Sequence, residues 1–234
     1  MLTRSKQNFR NELEQALHSH LTLSHPIFAR LLNASDHGHD LLKKVTLQGY
    51  QLTKHFLTYV EHLFFYCPDP KFKRALLINT YEEETGRLSN TDNHVVLMQK
   101  FIRAIGIPDA DRDAAKPLDA TQELIDFRLD AVRSPEKYHI GAAAVMIASE
   151  GQNLETAAGE ARHVLLGRAY GLQPEDLLFF SVHQKEDVGH VEQGLNLVSA
   201  LCETDHQQQE ALHAVNHTCR LFYAMYENMY REYC

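Results

Sequence analysis

Residues 174–201 read PEDLLFFSVHQKEDVGHVEQGLNLVSAL. The stretch reads as a helix, with YGLQPED as the break before it. At about 100° per residue, Asp187 lies about 40° from His183, and His190 about 20° to its other side. Phe179, Phe180, Val191, Leu197 and Val198 flank that narrow face, so two imidazoles and a carboxylate are directed toward an apolar interior. Buried groups of this kind need partners. On spacing alone, however, the triplet fits a solvated charged face equally well.

The same helical period runs through nearly every long segment, while strand-like alternation is scarce; the expected fold class is all-α, a helical bundle. Helices are expected at 5–20, 24–33, 40–66, 70–86, 92–105, 120–133, 136–150, 152–170, 174–201 and 205–231. The stretches YCPDP, GIPDAD and YGLQPED mark breaks. With 234 residues, 44% hydrophobic, and neither an internal repeat nor a low-complexity linker, residues 1–234 are expected to pack as one domain.

Lys and Arg number 23 against 31 Asp and Glu, for a formal charge of -8, and no basic stripe is present, so nucleic acid is not an expected partner. No segment has the roughly 20 uninterrupted apolar residues of a membrane span, and the start MLTRSKQNFRNELEQ lacks a signal-peptide core. A cytoplasmic protein without a membrane partner is expected. Cys67, Cys202, Cys219 and Cys234 are widely spaced and form no CxxC pair, so reduced thiols are expected. Of the 15 histidines, His37 and His39 in SDHGHD read as part of a solvated loop.

Two other places set ligand-type side chains beside apolar surface. In HIGAAAVMIASEGQNLE, residues 142–148 are apolar all round the helix and Glu150 ends the run; a carboxylate there is paired, protonated or cation-bound, unless it reaches solvent at a helix end. In YEEETGRLSNTDNHVVLMQKF, Glu82, Glu83 and Glu84 close one helix and His94 starts the next, although an acidic helix end and an exposed histidine beside Asp92 would look the same. Taken together, Glu84, His94, Glu150, His183, Asp187 and His190 form a mixed carboxylate and imidazole set. Such a set suits iron or manganese, and bridging carboxylates suit a metal pair. The spacing differs from the paired Glu-x-x-His motifs of ferritin-like bundles.

The His-x3-Asp-x2-His spacing, a Glu on the preceding core helix and an earlier Glu-x-Gly turn followed by His resemble the heme-oxygenase-like diiron oxidases, relatives of the TenA-, PqqC- and CADD-like proteins. HPIFARL and GYQLTKHFLTYV are similar to that family's opening helices, EETG with NHVVLMQKFIRAIG to its first ligand hairpin, and YGLQPEDLLFFSVHQKEDVGH to its last ligand helix. The resemblance implies that Glu84, His94, Glu150, His183, Asp187 and His190 hold two iron ions cycling between Fe2+ and Fe3+, with O2 as cosubstrate. Glu84 is favoured for its Glu-x-Gly context, and Glu83 replaces it if the turn closes differently.

The implied activity is an iron-dependent oxidase or oxygenase of small-molecule biosynthesis. It would cleave or desaturate C–C bonds, or oxidise nitrogen, in an amino-acid- or fatty-acid-like substrate. The resemblance also implies a homodimer and leaves room for an external electron donor. Tyr50, His55 and Tyr59 are candidate substrate-pocket residues, or ordinary packing residues of a long helix. Metal-free relatives, a thiaminase-like aminopyrimidine hydrolase working through cysteine and glutamate or a pyrroloquinoline-quinone oxidase, are disfavoured because all six ligand positions are filled. A noncatalytic helical interaction protein is the remaining alternative. The chlamydial death-domain-associated branch, which makes p-aminobenzoate from its own tyrosine, has a tyrosine and a lysine where this chain has Ser149 and Glu160, so a self-sacrificing reaction is also disfavoured.

Overall fold

The computed structural model describes residues 4–152, 154 and 161–234. Among these residues the all-helical expectation holds, with no strand. The long elements are α1 (Lys6–His18), α3 (Asp36–Tyr66), α4 (Pro70–Thr85), α5 (His94–Ala104), α7 (Asp119–Val132), α10 (Leu178–Leu201) and α11 (Asp205–Tyr233). Shorter elements are α2 (Pro26–Leu31), α6 (Asp109–Ala114), α8 (Tyr138–Ala142) and α9 (Arg162–Tyr170).

Two differences from the sequence reading have identifiable reasons, and a third expected helix falls partly outside the described residues. Helix α3 begins at Asp36 rather than 40, because Ser35 Oγ accepts the Gly38 N–H at 3.2 Å and caps the turn that carries His37 and His39. Helix α6, read as a break, forms after Pro108 with Asp109 and Asp111 in its first turn, and its Arg112 pairs with Asp109 and Asp113. The helix expected over 152–170 is described only from Arg162.

The centre of the bundle is helix α8 and its continuation, a wide π-helical stretch over Ala143–Ser149. Every residue from Gly141 to Gln152 is buried. Ser149 Oγ donates to the Ala144 carbonyl, five residues back, at 2.9 Å. Helices α10 and α11 pack directly on the π stretch, and α1 lies across both of them. Helix α1 contributes Phe9, Leu13 and Leu17 at four-residue steps, each fully buried. A large-to-Ala change at such a site costs about 2–5 kcal/mol. A second apolar cluster, including Leu42, Met98, Phe101, Ile102 and Met225, joins α3, α5 and α11 on the other side.

Two glycines set the central spacing. A Cβ on Gly194 of α10 would lie 2.6 Å from the Met146 carbonyl oxygen, and one on Gly141 would lie 2.8 Å from the Ala131 carbonyl oxygen. Both obstacles are backbone atoms, which cannot move aside like a side chain. Gly194→Ala should therefore destabilise the protein. The helix-propensity gain of up to about 1 kcal/mol is outweighed by an overpacking cost of about 1–3 kcal/mol. Gly189, on the same helix, meets nothing within 4 Å and should give a neutral or slightly stabilised Ala variant. Paired thermal melts check the expected opposite signs.

Candidate metal centre

The α4–α5 hairpin assigns the three consecutive glutamates to different environments. Glu82 is turned back onto the connection, where its carboxylate accepts the Leu88 N–H at 2.6 Å, the Ser89 N–H at 3.1 Å and the Ser89 hydroxyl. Burial opposes its charge, but these three donors overcome that and hold its pKa below the usual carboxylate range. Glu83 is buried and points inward, with Oε2 2.8 Å from His94 Nδ1. Glu84 is exposed, and it does not join the inward cluster. The preference for Glu84 is corrected accordingly: one residue is about 100° of helix, and with Glu82 committed to the turn it is Glu83 that faces inward. Helix α4 ends at Gly86 (φ 61), and Asn93 caps α5 by accepting the Val96 N–H at 2.8 Å, which places His94 at the first buried position of α5.

Helix α10 brings His183, Asp187 and His190 to one inward face, and the π stretch delivers Glu150, 1% exposed, to the same region. Two groups result. Ligand-type atoms of Glu83, His94 and His183 lie within 4.8 Å of one another, as do those of Glu150, Asp187 and His190. A third such group joins Glu82 and His94 to Glu186. Glu186, absent from the sequence-based set, has Oε2 3.8 Å from His94 Nε2. Its position three residues after His183 was the available signal, since i and i+3 side chains share a helix surface.

The protonation pattern follows from the neighbours. Burial, then the proximity of His94, lowers the His183 pKa to about 4, so the ring is neutral. Its Nδ1 lies 2.6 Å from the Phe179 carbonyl, which can only accept, so Nδ1 carries the proton and Nε2 keeps its lone pair. Burial disfavours charge on His94 too, but Glu83 outweighs it and the net shift is upward. For Glu150 and His190 burial again opposes charge, and each acts as the other's counter-ion: Glu150 is lowered, and His190 is raised to about 11.

These contacts are not hydrogen bonds of ordinary quality. Glu83 Oε1, both His94 nitrogens, Glu150 Oε1 and His190 Nδ1 are buried without a hydrogen-bond partner, even though His190 Nδ1 is 3.2 Å from Glu150 Oε1. Close, misaligned oxygen and nitrogen atoms from four helical segments are what a shared cation would satisfy. The donor set, without sulfur, matches the preference of iron or manganese. The residues present fit such a centre.

A cavity of about 140 Å³ opens on Glu83, His94, Glu150 and His183. It shares Gly49, Leu52, Met98, Arg162, Phe180 and Tyr226 with a larger apolar cavity of about 280 Å³. The candidate pocket residues Tyr50, His55 and Tyr59 line neither. On α3 the lining positions include 42, 45, 46, 49, 52, 53 and 56, and Tyr50 is about 100° past Gly49. The Tyr50 hydroxyl accepts from Gln99 Nε2 at 2.9 Å, His55 is half-buried, and Tyr59 packs against Arg128. No cysteine lines either cavity, and burial raises the Cys202 and Cys219 thiols to about 12. Glu160 lies outside the described residues.

The chain is 26% identical to a 4-aminobenzoate synthase of Nitrosomonas europaea, covering 97% of this chain and 92% of that one. It is 24% identical to a 4-aminobenzoate synthase of Chlamydia muridarum, covering 85% and 80%. A CADD-like protein of unknown function from Nostoc punctiforme superposes with a TM-score of 0.75 at 17% identity, over 97% of this chain and 98% of that one. A TenA homologue from Pseudomonas syringae pv. tomato gives 0.74 at 14%, over 96% and 92%. A domain with a heme oxygenase-like fold from Shewanella denitrificans gives 0.72 at 17%, over 98% and 94%. At these identities the structural matches establish the fold, which is heme oxygenase-like. Residues 43–223 match the family described as iron-containing redox enzymes, and the chain belongs to that family.

Proposed function

We propose that the protein is a non-heme diiron oxidase or oxygenase acting on a small amino-acid- or fatty-acid-like substrate. The observation that carries this reading is the pair of buried groups, Glu83–His94–His183 and Glu150–Asp187–His190, held beside a cavity. The first group would hold one iron and the second the other, with Glu186 close enough to His94 to join the first. Bound iron would supply the electrons for reducing O2.

The chain's own contribution is positional. The Phe179 carbonyl fixes His183 with its Nε2 lone pair available. The Glu82 carboxylate closes the turn that aligns Glu83 with His94. Apolar walls including Leu52, Phe56, Met98, Phe179 and Phe180 limit water around the reacting region and leave room for a carbon skeleton. A thiaminase-like hydrolysis is disfavoured by the absence of a cysteine from either cavity.

A second, narrower reading is that the product is 4-aminobenzoate, supported by the names of relatives that align with most of this chain. Mass spectrometry of iron-loaded protein exposed to O2 without added substrate tests it. Accumulation of 4-aminobenzoate supports this reading, and its absence confines the protein to an external substrate.

Glu83→Ala should reduce anaerobically loaded iron from about two ions per chain to about one or fewer, and suppress O2 uptake. Glu84→Ala should leave both at the wild-type level. Elemental analysis with an oxygen electrode checks this pair; equal iron in wild type and Glu83→Ala would sink the ligand assignment.

Ferrous binding should also release protons. His190, raised to about 11 in the metal-free protein, carries a proton at pH 7 that must leave before its nitrogen can bind a metal, and the upward shift of His94 adds to the proton release. Affinity therefore falls as pH drops. Because the shifts are upward, the dependence extends above the ordinary histidine range near 6.5. Anaerobic calorimetry at pH 7, in buffers of differing ionisation enthalpy, should read at least about one proton released per chain.

A further inference from the structure

The largest fully buried side chain is a cation. Arg128 on α7 is 1% exposed, and no carboxylate among the described residues pairs with it. Its Nε donates to the Leu124 carbonyl at 3.2 Å and its Nη1 to Ser149 Oγ at 3.4 Å, whereas Nη2 meets no carbonyl or carboxylate and the neighbouring Tyr59 hydroxyl is neutral. The Tyr59 and Phe222 rings lie 4.7 and 5.5 Å from its Cζ. Burial lowers its pKa, but a guanidinium does not deprotonate in the physiological range. A buried cation without a counter-ion is costly, and an anion supplied from outside relieves that cost.

The position of Arg128 limits what that anion can be. Arg128 lines the same small cavity as Glu83, His94, Glu150 and His183. The cavity continues into the larger apolar one through shared walls including Leu52, Met98 and Phe180. Only one guanidinium nitrogen is unspent, and aromatic rings pack against the group, so the site suits a single carboxylate approaching the guanidinium edge. Arg162 lines both cavities as well, so the test has to separate the two guanidinium groups.

We propose that Arg128 is the carboxylate anchor of the substrate, with the substrate's apolar body lying along the adjoining cavity. The assignment rests on the iron reading only for which part of the substrate would react; the anchor itself requires no metal. A purely structural role, pinning Ser149 at the end of the π stretch, would give no preference for charged over neutral ligands.

Octanoate and its neutral counterpart octanamide are the probes, measured by calorimetry on the full chain, both metal-free and anaerobically loaded with ferrous iron, with iron content determined on each sample. Wild type should bind octanoate about ten- to a hundredfold more tightly than octanamide, the range of a charge-assisted hydrogen bond. In R128M, octanoate should fall to the level of octanamide while octanamide binding is unchanged, and R128K should recover part of the preference. Equal affinities in wild type, no binding of octanoate, or a preference that survives in R128M would overturn the proposal. So would a preference present only with iron and insensitive to R128M, since the carboxylate would then sit on the metal. Should R128M not fold, R128K carries the test: a reduced preference for octanoate supports the anchor and an unchanged one overturns it. A wild-type preference in protein that takes up no iron would support the anchor and reject the iron reading, which keeps the two failures distinct.

Discussion

A carboxylate at the end of a helical run buried on every side is the constraint around which this protein is arranged. Glu150 follows seven residues of π-helical turn, all of them buried, and its charge survives there because His190 answers it. That pairing demands close contact between the π stretch and α10, which in turn requires Gly194 where the Met146 carbonyl approaches. Asp187 and His183 follow on the same face of α10, and the α4–α5 hairpin closes over them with Glu83 and His94. Packing and chemistry are therefore set by the same contacts: what buries the acidic and basic groups is also what brings them together.

The order of events within the hairpin illustrates how neighbouring residues divide their tasks. Three glutamates in succession offer identical chemistry, and only the backbone decides which one turns inward. The Leu88 and Ser89 N–H groups engage Glu82, the helix pitch carries Glu84 to the surface, and Glu83 is left beside His94. The relatives named as 4-aminobenzoate synthases and the family of iron-containing redox enzymes give this geometry a chemical context.

The bundle was legible in the sequence because helical period is a strong signal, whereas for the α10 face and for Glu150 apolar spacing offered burial and solvent exposure alike, and the packing of α10 on the π stretch decides for burial. What could not be read depended on backbone detail. The choice between Glu83 and Glu84 turned on hydrogen bonds made across the hairpin, and the pocket assignment of Tyr50, His55 and Tyr59 failed because residues of one helix a single step apart face different surroundings. Helix α6 was hidden in a polar, proline-led stretch whose stability comes from Arg112 and its aspartate partners rather than from apolar period. Arg128 gave no sign, since nothing in its local pattern separates a buried arginine from a solvated one.

The wide turn at Ala143–Ser149 makes the length of an apolar run as consequential as its composition. Removing one alanine from this stretch would leave hydropathy and side-chain volume almost untouched, and a scan for polar or bulky changes would pass it as silent. It would nevertheless change the rotation between the two ends of the segment by a substantial part of a turn, shifting the carboxylate of Glu150 relative to His190. In such a segment an insertion or deletion is a more severe lesion than most substitutions, and chain length itself becomes an inherited determinant of how the buried carboxylates and imidazoles meet.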